Sequence, residues 1–148
     1  MESLARLEGR TVGLDTAPLI HFIEDHPVYA PRLAALFEAA EQQRLRLVAS
    51  VIVLAEILVH PLRQGQFDLV DEYRDILLNS PGLQTTAVSA EIAERAAELR
   101  ARHNFRTPDA IHLATAVSAG ATTFLTNDAR LRNVPGLEIL LLSELQDA

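Results

Sequence analysis

Short apolar runs of strand length alternate along this chain with longer segments of helical period, and that order constrains the fold more than any single residue. Residues 11–14, 46–49, 83–88, 122–126 and 138–142 read as five strands. Between the first two, Asp15-Thr16 opens a helix carrying Leu19, Ile20 and Ile23, and Pro31 suits the first turn of a helix with Leu33, Leu36, Phe37 and Ala40 on one face. The apolar stretch after Ser50 reads as a buried helix to about Arg63, ended by Gly65, and Leu69 to Leu77 mark another that stops before Pro81-Gly82. Ser89 caps a helix with Ile92, Ala96 and Leu99 inward, with Glu91–Arg95 and Glu98–Arg102 pairs on its outer side. Thr107-Pro108-Asp109 reads as a helix start with Thr107 at the cap, running to Gly120. Strands joined through helices require right-handed crossovers, so the expected architecture is a three-layer α/β/α sandwich around a central, mostly parallel five-stranded sheet. Ligands of such sheets gather beyond the carboxyl ends of the strands.

The 148 residues suit one domain spanning 1–148, and 49% hydrophobic against 22% charged residues can fill a core. With no cysteine, thiolate zinc sites, iron–sulfur clusters, disulfides and cysteine nucleophiles are excluded. All 13 basic residues are arginine, which removes Schiff-base chemistry and the phosphate-loop lysine. No serine lies in a Gly-x-Ser-x-Gly elbow. The start, Met1 to Arg6, lacks a basic region followed by an apolar one, and the longest apolar stretch, 48–59, is too short to span a bilayer, so the expected location is the cytoplasm.

Four acids stand out against this background. Glu56 interrupts an apolar run, with Ile52, Val53 and Val59 as its helical neighbours, and an unpaired carboxylate there calls for a metal, a partner such as Arg63, or a path to solvent. Asp15 and Asp128 follow strands, where each can also serve as a cap, and Asp109 at a helix start also suits the helix dipole. With Glu56 and Asp109 in the first turns of their helices, all four face one sheet edge. Two like charges about 5 Å apart repel by roughly 3 kcal/mol at an effective dielectric near 20, so the cluster calls for a cation. An all-oxygen donor set suits Mg²⁺ or Mn²⁺.

The text around these acids resembles a known family. Residues 12–16 (VGLDT), 54–58 (LAEIL), 107–116 (TPDAIHLATA) and 124–128 (FLTND) look like the four signature stretches of PIN-domain ribonucleases, in order and spacing, over about residues 11 to 142. Single PIN domains of this size resemble the toxins of VapBC-type toxin–antitoxin systems. The resemblance implies a Mg²⁺- or Mn²⁺-dependent endoribonuclease leaving a 5′-phosphate and a 3′-hydroxyl, homodimeric, and blocked by a cognate antitoxin. It implies Asp15, Glu56, Asp109 and Asp128 as catalytic metal ligands, with Asp128 acting through water or at a second ion. Two departures stand out: Ala17 replaces a small polar residue, and His60-Pro61 leaves the end of the helix after Glu56 open.

Thr126 and Thr16 are supporting candidates, Thr126 through its hydroxyl. His112, three residues after Asp109, reads as a buried histidine holding neighbouring elements ahead of a ligand, and the other histidines show no ligand spacing. A net charge of −7 looks wrong for an RNA enzyme, but bound divalent ions offset the acids locally, and Arg63, Arg102, Arg106, Arg130 and Arg132 are candidates for backbone phosphates. A receiver or aspartyl phosphatase also places Asp after a first parallel strand, yet needs a lysine or an Asp-x-Asp that this chain lacks. A catalytically silent PIN-like binding module is the remaining alternative.

Overall fold

In the computed structural model, which describes residues 2–146, five parallel strands form the central sheet in the order β4-β3-β2-β5-β6: β2 (Thr11–Leu14), β3 (Arg46–Ser50), β4 (Leu83–Thr86), β5 (Thr123–Thr126) and β6 (Glu138–Leu141). Every pairing is parallel, with Gly13 opposite Val48 on one side and Phe124 on the other. A separate parallel pair, β1 (Glu2–Ser3) and β7 (Leu145–Gln146), has no counterpart in the sequence reading, because two-residue strands leave no periodic signal.

Helices cover both faces. On one side lie α1 (Thr16–Ile23), α2 (Tyr29–Glu41), α3 (Ile52–Ile57), α4 (Val59–Arg63) and α5 (Phe67–Asn79); on the other lie α6 (Ala90–Arg102) and α7 (Thr107–Ser118). The strands feed both layers alternately. Leu47, Ala49 and Leu125 join the first core with Leu19, Leu36 and Tyr73, whereas Val48 and Phe124 join the second with Ile92, Ala96 and Leu113. A strand buried on both faces must be apolar throughout, which is why these runs do not alternate in the sequence. Gly13 lets α7 approach β2 closely, since a Cβ there would stand 2.6 Å from that of Ala116.

The strands 46–49, 122–126 and 138–142 of the sequence reading each shift by one residue at one end, and three further differences have a local cause. The expected helix after Ser50 is two helices, parted at Leu58. Pro61 has no N–H to donate to Ile57, and its ring would press on that carbonyl, so the first helix stops and a second begins. Gly65, at φ +67°, ends the pair as expected. The third strand stops at Thr86 instead of Val88, because its only neighbour, β3, ends at the paired Ser50. The cap of α7 is Arg106, in extended conformation, in place of Thr107.

The winding direction reverses between β2 and β5. The chain moves outward from β2 through β3 to β4, then returns across the other face to β5 and β6. In doubly wound sheets the crevice opens at such a reversal. Asp15 follows β2 and Thr126 ends β5, so the first candidate acid stands at the crevice.

Candidate active site

Asp15 caps α1 with extended backbone, its Oδ1 accepting from the Thr16 amide at 2.8 Å. Its Oδ2 accepts from the Thr126 hydroxyl at 2.7 Å, and Thr126 Oγ1 in turn accepts from the Asp128 amide at 3.0 Å. One side chain therefore both caps the helix and lines the cleft. Burial raises the Asp15 pKa above its ordinary value; the Thr126 bond, the His112 charge and the Thr16 amide pull it down, and the Asp109 charge pushes it up.

Glu56 sits in the second turn of α3, one turn later than the sequence reading placed it, and remains within reach because α3 is short and starts at the end of β3. Its Oε1 accepts from the Thr16 hydroxyl at 2.8 Å and lies 2.5 Å from Nε2 of His112, which is buried. These contacts answer why a carboxylate interrupts an apolar run: its partners are Thr16 and His112, not Arg63. The His112 hydrogen bond is the first cause holding the Glu56 carboxyl below its usual range, with Thr16 adding to it against burial. His112 thus ties α7 to α3, as a buried histidine holding its neighbours should, while its Nδ1 is buried without a partner among the described residues.

Asp109 is 7% exposed in the first turn of α7. Arg106 donates to both its oxygens, Nε to Oδ2 at 3.1 Å and Nη2 to Oδ1 at 3.4 Å. Asp128 is partly exposed and bound in the same way by Arg130, whose Nε and Nη2 donate at 3.0 and 2.8 Å. That pairing holds the Asp128 carboxyl below its usual range.

All four acids line one cleft of about 300 Å³, with Thr16, Arg106 and Asn127 on its walls. Asn127 was not singled out in the sequence; its only signal is its place between Thr126 and Asp128. Of the five arginines suggested for phosphates, Arg106 and Arg130 stand at the acids and Arg132 beside them, whereas Arg102 lines a different cavity between α6 and Val134 and Arg63 ends α4.

The donor set is hard oxygen without thiolate, which fits Mg²⁺ or Mn²⁺ in chemistry. As the side chains stand, no three His, Asp or Glu groups among the described residues converge to hold an ion together. Each carboxylate turns instead to a protein donor. The two that meet arginine do so through guanidiniums 68% and 81% exposed, so in both pairs the cation stays in contact with solvent and can swing away from its carboxylate.

Comparison with known proteins bears on the fold and the family. A family model described as the PIN domain matches residues 12–137. No curated protein matches by sequence. Among solved structures, VapBC2 from Rickettsia felis, bound to a DNA fragment from its promoter, is 22% identical with a TM-score of 0.70, covering 88% of this chain and 98% of that one. DNA-bound VapBC from Salmonella typhimurium is 19% identical with a TM-score of 0.63, covering 90% and 98%. The sarcin-ricin loop cleaving toxin VapC20 from Mycobacterium tuberculosis is 18% identical with a TM-score of 0.62, covering 77% and 86%. The solved structures share the fold, the family model spans both core layers and all four acids, and the chain belongs to the PIN domain family.

Proposed function

We propose that the protein is a metal-dependent endoribonuclease and the toxin of a toxin–antitoxin pair. The observation that carries this reading is the gathering of Asp15, Glu56, Asp109 and Asp128 around one cleft at the reversal point of the sheet. Asp15, Glu56 and Asp109 would hold Mg²⁺ or Mn²⁺, with Asp128 on the more exposed side. When bound, the ion supplies a water of lowered pKa and neutralises charge on the phosphodiester. The protein's own contribution is orientation. Thr126 and the Thr16 amide fix both oxygens of Asp15, while Thr16 and His112 fix one oxygen of Glu56, which leaves its other oxygen uncommitted.

The toxin part of the reading rests on likeness. The similar solved structures include VapBC complexes and a toxin that cleaves the sarcin-ricin loop. A cognate antitoxin and a second copy of the chain are the expected protein partners, and Leu62 and Phe67, 50% and 65% exposed, offer apolar surface to one of them. No helix among the described residues is long and apolar enough to cross a membrane.

Incubating RNA with the purified protein in Mn²⁺, Mg²⁺ or EDTA tests the reading. Cleavage with either ion, lost in EDTA and in Asp15→Asn, Glu56→Gln and Asp109→Asn proteins that still fold, is the expected result. Folded wild type that cuts no RNA with either ion favours the silent binding module, a reading that the arginine pairing of Asp109 and Asp128 supports.

A further inference from the structure

Asp109 and Asp128 line a second cavity, of about 440 Å³, on the side away from Asp15 and Glu56. Its walls are the loop after α6, with His103, Asn104 and Arg106, and the loop after β5, with Arg130, Arg132 and Asn133. Three guanidiniums, Arg106 on one wall and Arg130 and Arg132 on the other, outnumber the two carboxylates of the lining, and their bonds to Asp109, Asp128 and the Ala129 carbonyl leave other N–H groups of each free to donate to an anion. His103 is half-buried and stacked on Phe105, with ring centroids 4.9 Å apart and planes 23° from parallel. The carboxamides of Asn104 and Asn133 are exposed, and neither is held by another described side chain. Cations for a phosphate, an aromatic platform and two free amides able to donate and accept are the three things that single-strand RNA recognition uses, and the volume lies within the range of ligand pockets.

We propose that this cavity holds one nucleotide of a single-stranded RNA, with its phosphate on the Arg130–Arg132 side, its base against His103, and Asn104 and Asn133 reading the base edge. The two shared carboxylates place that nucleotide next to the acidic cleft, so the cavity would choose which base lies beside the cleavage point. The inference rests on the nuclease reading for its biological meaning, but the binding it asserts stands by itself.

The test is fluorescence anisotropy of labelled short oligomers of A, C and U with the full chain in EDTA, where nothing is cut. Arg132→Gln should weaken all three alike and lower the slope of log affinity against log salt by about 0.7, one phosphate contact on a single strand. Asn104→Ala with Asn133→Gly should keep the slope and shrink the difference between the best and worst oligomer by at least about fivefold, the lower bound for a lost base contact. Glycine is chosen because Asn133 has φ +62°, and if its melting temperature falls, Asn104→Ala alone carries the measurement. Unlabelled mononucleotides and DNA oligomers as competitors distinguish a free-nucleotide or DNA site from one for RNA, and either competing as well as RNA overturns the assignment. Variants that bind all oligomers as wild type does also overturn it, even if the protein cuts RNA with Mn²⁺. Loss of binding in Arg132→Gln, with the wild type cutting nothing in Mn²⁺, upholds the pocket and removes the nuclease reading instead.

Discussion

Thr126, the last residue of one strand, gives its hydroxyl hydrogen to Oδ2 of Asp15, which follows the neighbouring strand, at 2.7 Å and out of contact with water. One hydroxyl serves two chains of contact, because the same oxygen accepts from the Asp128 amide. Thr126→Val keeps the shape and removes both bonds. The expected loss is about 1–3 kcal/mol, the cost of leaving buried polar groups unsatisfied, with Thr126→Ser restoring most of it. Urea unfolding of the three proteins measures this, and a valine variant as stable as wild type would show that Asp15 finds another donor.

Asp15 also sets a pH dependence. Its folded pKa lies above the ordinary 3.8, so over the interval between the two values the folded protein keeps a proton that the unfolded chain has released. Stability therefore falls as pH rises through that interval and stays reduced at neutral pH. Asp15→Asn removes the penalty: it should raise the melting temperature of the metal-free protein at pH 7 and lose that advantage below the unfolded value. Melting curves of both proteins across acid and neutral pH decide it, and a variant less stable at pH 7 than in acid, relative to wild type, contradicts the assignment.

Metal binding should show in the same assay, since an ion that binds only the folded state raises the melting temperature with concentration. Mn²⁺ should stabilise wild type and do so much less in Asp109→Asn. Arg106→Gln, which frees Asp109 from its guanidinium, should need less Mn²⁺ than wild type for the same shift. Equal shifts in all three proteins would place the ion elsewhere.

Asp128 and Asp109 should differ in weight. Asp109 is nearly closed to solvent and belongs to a helix, whereas the Asp128 side chain is 26% exposed and belongs to a loop. A ligand held through water contributes less than one bound directly, so Asp128→Asn should retain RNA cleavage that rises with Mn²⁺ while Asp109→Asn stays silent. If both are silent at every Mn²⁺ concentration, Asp128 is a direct ligand.

Gly13→Ala probes the seam between β2 and α7. The new methyl group meets Ala116 at 2.6 Å and Phe124 at 2.9 Å, so helix or strand must move, at a cost of about 1–3 kcal/mol. Because α7 carries Asp109 and His112, activity should fall further than stability alone predicts at temperatures where the variant is folded. Unchanged melting and unchanged RNA cleavage would mean that the seam has slack.

The elements that were legible in the sequence are those with a local cause. Ser89 bonds the Ile92 amide as a cap should, Gly65 ends its helix with a positive φ, and each buried strand shows as a short apolar run between turn signals. The four acids were legible because each is odd in its own setting: Glu56 among aliphatics, Asp15 and Asp128 just past strands, Asp109 after a proline. What escaped was pairing across distance. Nothing near Glu56 in the chain announces His112, 56 residues on; the Arg106–Asp109 pair is local, three residues apart, but there a threonine stood as the rival cap. The break at Leu58 follows from Pro61, but only once the backbone bond it would need is counted. The pocket loops at Asn104 and Asn133 carry no period at all.

The strand order has a consequence for the order in which the cleft can assemble as the chain is made. Asp15 and Glu56 leave the ribosome before the other two acids, but Thr126, the donor on Asp15, lies 111 residues after it, and β2 is a central strand only when β5 has docked beside it. A nascent chain holding β2, β3 and β4 alone exposes one side of β2 and has neither Asp109 nor Asp128. Its acids stay unassembled until Asp128 has emerged, and closing so long a loop is a slow step. The cleft cannot form before β5 and the loop after it have emerged and docked, so any activity that needs all four acids is withheld from shorter nascent chains.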